Sequence, residues 1–134
     1  MTTRVEDKKV KELMTHGVIT MPGYSKVIDA ISVLVEGHVH GVVITSKQNE
    51  MLGIVSEIDI VKAYGHDFED ADVRDIMSSP VRTVGMEDTI NDASEIMKNE
   101  GIDRLLVVDE RGRMRGILSV TDIINEIYSI YKGK

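Results

Sequence analysis

The stretch 10–64 is written out a second time, without a gap, 63 positions further on, Val10 falling on Val73. Val73-Arg74-Asp75-Ile76-Met77 lies over Val10-Lys11-Glu12-Leu13-Met14, and Gly116-Ile117-Leu118-Ser119 over Gly53-Ile54-Val55-Ser56. Twelve of the fifty-five pairs are identical, at 10, 14, 18, 20, 29, 30, 51, 53, 54, 56, 59 and 60. Composition alone would give roughly three or four. Two copies are too few for a solenoid, so each is expected to bury its apolar face against the other in a pseudo-twofold pair. With 134 residues, the chain can bury roughly two thirds of its unfolded surface, enough for a core without staples.

Each copy reads as a short helix followed by a β-α-β-β-α unit, which makes the fold class α/β (α+β). The apolar runs 18–21 and 81–84 end at Pro22-Gly23 and Gly85, so they are expected strands closed by turns. Ser25 and Asp88 are the expected N-caps of the next helices. Their core faces are Val27, Ile28, Ile31, Leu34 and Val35 in one copy and Ile90, Ala93, Ile96 and Met97 in the other. Gly41 to Thr45 and Leu105 to Val108 are unbroken aliphatic runs, as in strands buried on both faces. Polar hairpin loops at 46–49 and 109–112 lead into strands 52–55 and 115–118. The last helices start after Ser56 and Ser119 and run through Tyr64 and Tyr131. The domain expectation is repeat one at 1–66, an acidic solvated linker at 67–72, repeat two at 73–131 and a tail at 132–134.

The segment that carries chemistry is also doubled: Gly53-Ile54-Val55-Ser56-Glu57-Ile58-Asp59 and Gly116-Ile117-Leu118-Ser119-Val120-Thr121-Asp122. A strand here ends at a Ser that caps a helix, with an Asp three residues on. That is a capping box, and Ser and Asp could serve the helix amides and nothing more. The same geometry suits a nucleotide, because first-turn amides and a hydroxyl attract phosphate and a carboxylate can accept ribose hydroxyls.

Taken in order and doubled, these features resemble the cystathionine-β-synthase (CBS) domain family over 10–64 and 73–127. The resemblance implies two repeats packed through their sheets with pseudo-twofold symmetry, a Bateman module. It also implies up to two clefts that sense adenine nucleotides, AMP, ADP or ATP, or S-adenosylmethionine, with or without magnesium, and no resident cofactor. In the first implied cleft Ser119 and Thr121 face phosphate and Asp122 the ribose, while Thr20, Met21, Val39 and His40 line the other side and Ile117 packs on adenine. In the second, Ser56 and Asp59 are joined by Thr83, Val84, Ile102, Asp103 and Arg104, with Ile54 on adenine. Arg104 stands where family members place a phosphate-contacting Arg, whose fork suits two phosphate oxygens. The repeats depart from each other: His40-Gly41 answers Asp103-Arg104, and Ile58 answers Thr121. Unequal sites without a rich cationic clamp are therefore expected.

Composition narrows the function further. The formal net charge is −7, which argues against nucleic acid, whose binders cluster Lys and Arg. Aromatic residues make up 4% of the chain, with no Trp, too few for base-stacking platforms. No run approaches the ~18 apolar residues of a spanning helix, and the segment 1–11 is not a secretory signal. Absence of Cys removes disulfides, thiolate zinc and thiol catalysis, and fits a cytoplasmic setting. His38 and His40 share a strand face but have no further ligands nearby, so no metal is expected. Nothing resembles a nucleophile-and-base arrangement, a P-loop or a Gly-rich dinucleotide fingerprint. The expectation is a non-enzymatic sensor acting in trans on an unidentified effector. A structural or oligomerisation module with vestigial clefts is the alternative. Ile127, Tyr128, Ile130 and Tyr131 on the last helix point to a homodimer.

Overall fold

The computed structural model describes residues 4–133. Single 3-10 turns occupy Val5–Asp7 and Val73–Asp75. The elements of the first repeat are α1 Val10–Leu13, β1 Thr15–His16, β2 Thr20–Pro22, α2 Val27–Glu36, β3 Gly41–Thr45, β4 Met51–Ser56 and α3 Glu57–Lys62. Those of the second are β5 Thr83–Gly85, α4 Ile90–Glu100, β6 Arg104–Val108, β7 Met114–Ser119 and α5 Val120–Lys132.

These elements form two compact units whose boundaries cross the repeats. One unit is Val18–Val81; the other joins residues 4–17 with residues 82–133. Each body thus takes its leading segment from the other repeat. The unit Val18–Val81 holds a three-stranded sheet in the order β2-β3-β4, and the other unit a four-stranded sheet in the order β1-β7-β6-β5. β2 lies parallel to β3, and β3 antiparallel to β4, with Thr20 opposite Val43 and Gly41 opposite Ser56. The same registers recur at the repeat offset, Thr83 opposite Leu106 and Arg104 opposite Ser119. Both hairpins also slip by one residue at the same place, after Ile44 and after Val107. A sequence repeat that reproduces even its irregularities specifies backbone geometry as well as composition.

Leading segments are exchanged through matched backbone bonds. Ala71 carbonyl accepts from the Val27 amide at 2.9 Å, and Lys8 carbonyl from the Ile90 amide at 2.8 Å. Val73 amide donates to Ser25 carbonyl at 2.9 Å, and Val10 amide to Asp88 carbonyl at 2.8 Å. The exposed stretch expected as a solvated linker therefore has a structural task as well: Phe68 and Ala71 carbonyls cap the first amides of α2.

Each unit has its own core. Met21, Ala30, Leu34, Val42, Ile44, Val55 and Val73 pack together in one. Val10, Met14, Val84, Ile90, Ala93, Met97, Leu105, Val107 and Leu118 do so in the other. Of the continuous runs expected as doubly buried strands, every residue of β3 is buried, and so are Leu105 to Val107 of β6, with Val108 partly exposed.

The structure corrects four expectations. The N-caps are Lys26 and Thr89, one residue beyond Ser25 and Asp88. Ser25 instead donates its amide to Pro22 carbonyl, and the Asp88 carboxylate takes the Gly85 amide at 2.8 Å, so both close the preceding turn. Ile28 and Val35 are 41% and 66% exposed and do not belong to the α2 core face. The buried face is the i, i+3, i+7 stripe of Val27, Ala30 and Leu34, with Val33 partly packed beside it. β2 and β5 begin two residues later than expected, because pairing starts only once the Ile19 and Arg82 carbonyls accept from Val43 and Leu106. Finally, α3 stops at Lys62 short of Tyr64, ahead of a left-handed Gly65 at φ 107°, while α5 has no such breaker before Gly133.

Candidate functional site

The doubled strand-to-helix corners place Ser56 and Asp59 in one unit and Ser119 and Asp122 in the other. In each, the motif Gly sits where a side chain would collide. A Cβ on Gly53 would come within 2.6 Å of Met77 Sδ, and one on Gly116 within 2.3 Å of Thr15 carbonyl oxygen. The glycines let a leading segment lie across β4 or β7: Ser78 bridges to Ile54, and Thr15 pairs with Ile117.

At the first corner both carboxylate oxygens are engaged. Asp59 Oδ2 accepts the Ser56 amide at 2.8 Å and the Ser56 hydroxyl at 3.0 Å, and Oδ1 accepts the Ser78 hydroxyl at 2.6 Å. Asp59 is 4% exposed and Ser56 3%. Two hydroxyls and an amide occupy the carboxylate edge that a ribose diol would use.

The second corner is more open. Asp122 Oδ2 accepts the Ser119 amide at 2.9 Å, and the Ser119 hydroxyl accepts the Asp122 amide at 3.3 Å. Among the described residues, Asp122 Oδ1 has no hydrogen-bond partner, and the side chain is half-buried. Thr15, the counterpart of Ser78, gives Asp122 no bond. The first α5 amide, Val120, is taken by Asp103 carbonyl at 2.9 Å. Thr121 follows it, exposed to solvent.

Arg104 lies directly across the sheet from Ser119. Its side chain is 11% exposed. Nε and Nη2 donate to the Asp103 carboxylate at 3.0 and 3.3 Å, but Nη1 is buried with no partner. A buried guanidinium nitrogen left unpaired costs on the order of 1–3 kcal/mol, and an acceptor brought by a ligand would remove that cost.

The remaining expected residues fall as follows. Thr20 and Thr83 open β2 and β5 and are exposed, while Met21 and Val84 beside them are core residues. Val39 and Ile102 pack partly against their own cores. Ile54 and Ile117 are each 8% exposed. His40 Nδ1 is 3.4 Å from Glu57 Oε1, and His38 adopts a left-handed φ of 51°. No group of three or more metal-ligating side chains occurs among the described residues. None of their helices is long and apolar enough to cross a membrane.

Sequence reasoning missed Ser78, whose only signal is that it sits 63 positions after Thr15 and so must meet the other Asp corner. It also passed over Arg111, Arg113 and Arg115, which stand where repeat one has Gln48, Glu50 and Leu52.

A family model described as CBS domain matches residues 10–66 and again 73–129. An uncharacterized protein of Methanopyrus kandleri is 33% identical over 118 residues, covering 86% of this chain and 60% of its own length. The chain therefore spans about 60% of that relative's length. A CBS domain protein of Pyrobaculum aerophilum, solved in complex with AMP, superposes with a TM-score of 0.77 at 26% identity, covering 90% of this chain and 98% of the other. A hexameric CBS-CP12 protein from bloom-forming cyanobacteria gives a TM-score of 0.78 at 31% identity, over 87% of this chain and 66% of the other.

Proposed function

The chain belongs to the CBS-domain family, and from that premise we propose that it is a non-catalytic regulatory module that binds an adenosine ligand and signals in trans to an effector protein. AMP, ADP, ATP and S-adenosylmethionine are the candidate ligands. The observation that carries this is the buried, unpartnered Nη1 of Arg104, in the same unit as the carboxylate oxygen of the partly exposed Asp122 that its own helix does not use. Asp122 accepts the ribose hydroxyls, with Ser119 and Thr121 near a phosphate; Arg104, which the resemblance set in the other cleft, lies across from Ser119 on β7 and takes an anionic oxygen here instead. The AMP complex of the Pyrobaculum protein supports the adenine class.

Calorimetric titration of AMP and of S-adenosylmethionine tests the assignment. Asp122→Ala is expected to weaken binding about tenfold or more, the worth of one lost charge-assisted bond pair. Arg104→Ala should weaken AMP more than adenosine. Isotherms unchanged in both variants would overturn it.

The closed geometry of Asp59 favours a second reading for the first corner, in which Ser56, Asp59 and Ser78 form a structural tie and that cleft is vestigial. Self-association is also proposed. Ile124, Tyr128 and Tyr131 on α5 are 59%, 63% and 67% exposed, more contiguous apolar surface than a soluble helix usually leaves uncovered. Light scattering at micromolar concentration should give a closed dimer, and a monomer there would rule it out.

A further inference from the structure

Away from both Asp corners, the β6–β7 hairpin forms one wall of a groove of about 620 Å³ in the unit that contains α5. Its apolar lining is methionine: Met86 and Met114, both partly exposed, and the buried Met14. Its rim carries Arg111, Arg113 and Arg115.

Repeat one shows that the hairpin does not require these arginines. There, the Ser46 hydroxyl accepts the Gln48 and Glu50 amides at 3.2 and 3.1 Å and so shapes the turn. Asp109 does the same backbone task in repeat two, its Oδ1 accepting the Arg111 and Arg113 amides at 2.9 Å each. Its second oxygen is surplus to that task. It accepts from Arg113 Nε at 2.9 Å and Arg115 Nε at 3.0 Å, clamping two guanidiniums side by side. Both stay open to solvent at their outer ends, with side chains 60% and 47% exposed. Crowding three cations on one short hairpin works against folding, and the fold plainly accepts Gln, Glu and Leu in their place.

The acids nearby are largely neutralised. Asp109 is spent on the two arginines, and Glu87 is held by Lys9 at 2.6 Å and Lys11 at 2.7 Å. Glu110 is the remaining acid on the rim. On a chain of net charge −7, this is a cationic rim around a soft apolar lining. The cavity is far larger than an inorganic anion needs. Methionine adapts to varied aliphatic side chains, and arginine forks grip carboxylates in two-point contacts.

We propose that this groove docks an acidic, aliphatic-bearing peptide segment of a partner protein, Arg111, Arg113 and Arg115 taking its carboxylates and Met86 and Met114 its apolar side chains. This is independent of the adenosine site, and it supplies a surface through which an effector could be engaged.

The test uses the full chain and a panel of short fluorescein-labelled peptides that interleave glutamate with leucine, methionine or phenylalanine, read by anisotropy. The key variant replaces Arg111→Gln, Arg113→Glu and Arg115→Leu together, installing residues that the matching hairpin of repeat one already carries; circular dichroism checks the fold. At least one peptide should bind with micromolar affinity that falls steeply with salt. Its affinity should drop about tenfold or more in the triple variant and when its glutamates become glutamines. A milder variant, Met114→Ser, should weaken the aliphatic peptides but not a polyglutamate control. No binding by any peptide, equal affinity for the triple variant, equal affinity of polyglutamate, or full displacement by millimolar inorganic phosphate would each overturn the proposal.

Discussion

Asp59 and Asp122 occupy the same position of the same motif on the same strand-to-helix turn, yet one is closed and the other open. Asp59 has both oxygens filled and is buried, whereas Asp122 spends one oxygen on its own helix and keeps the other unpartnered among the described residues. The Gly, Ser and Asp of the motif are the same in both, and Ile58 against Thr121 is a chemical difference inside it. Two contacts make the difference: the Ser56 hydroxyl donates to Asp59 whereas the Ser119 hydroxyl accepts from the Asp122 amide, and Ser78 from the leading segment reaches Asp59 at 2.6 Å whereas its counterpart Thr15 gives Asp122 no bond. A family motif therefore fixes where a carboxylate stands, while a residue from elsewhere in the chain decides whether it is available.

The largest expected effect breaks that contrast in stability. Asp59→Ala strips three hydrogen bonds and leaves the buried Ser56 amide without an acceptor, a loss of about 2–4 kcal/mol. Asp122→Ala removes one back-bond at a half-buried cap, about 1 kcal/mol. Thermal melts should separate the two variants by several degrees; equal midpoints would mean that the closed geometry of Asp59 carries no stability. Ser78→Ala sharpens the contrast on the ligand side. It should cost about 1 kcal/mol and, if the Ser78 bond is what silences this corner, it should bring out a second adenosine isotherm absent from the wild type. A lone isotherm in both proteins would place the cause elsewhere, in Ile58 or in burial itself.

Much of this was legible in the sequence because the repeat reports on itself. The strands, hairpins and last helices follow from aliphatic runs bounded by turn residues, and the Ser and Asp corners from a motif that occurs twice. What was hidden is tertiary. Periodicity lists Val27, Ile28, Ile31, Leu34 and Val35 as apolar, but only packing decides that Ile28 and Val35 face out. The caps moved by one residue because Ser25 and Asp88 are recruited to the preceding turns, a competition that spacing cannot rank. The exchange of leading segments was not anticipated, since β1 has two residues and no strand signal of its own. Without that exchange, Ser78 could not be seen as a partner of Asp59.

The hairpins offer the subtlest test of the same principle, equal backbones with unequal side chains. Asp109 is held down to about 2, from an ordinary 3.8, chiefly by the Arg113 amide; desolvation, the next largest effect, opposes it, and the Arg111 amide and the two guanidiniums add to the lowering. A depressed carboxylate contributes stability that is complete above its unfolded pKa and lost as the pH falls through the folded value. The window for this turn therefore lies between about pH 4 and pH 2. Ser46 carries no titratable group, so its turn has no such window. Amide exchange at Arg111 and Arg113, corrected for intrinsic pH dependence, should quicken across that interval while Gln48 and Glu50 keep their protection. The effect is small because the site is exposed and solvent competes for every bond. Asp109→Asn should abolish the pH response and loosen the two guanidiniums while preserving the Oδ1 turn bonds. Parallel behaviour of the two hairpins in acid would show that the carboxylate adds nothing to what a serine hydroxyl already does.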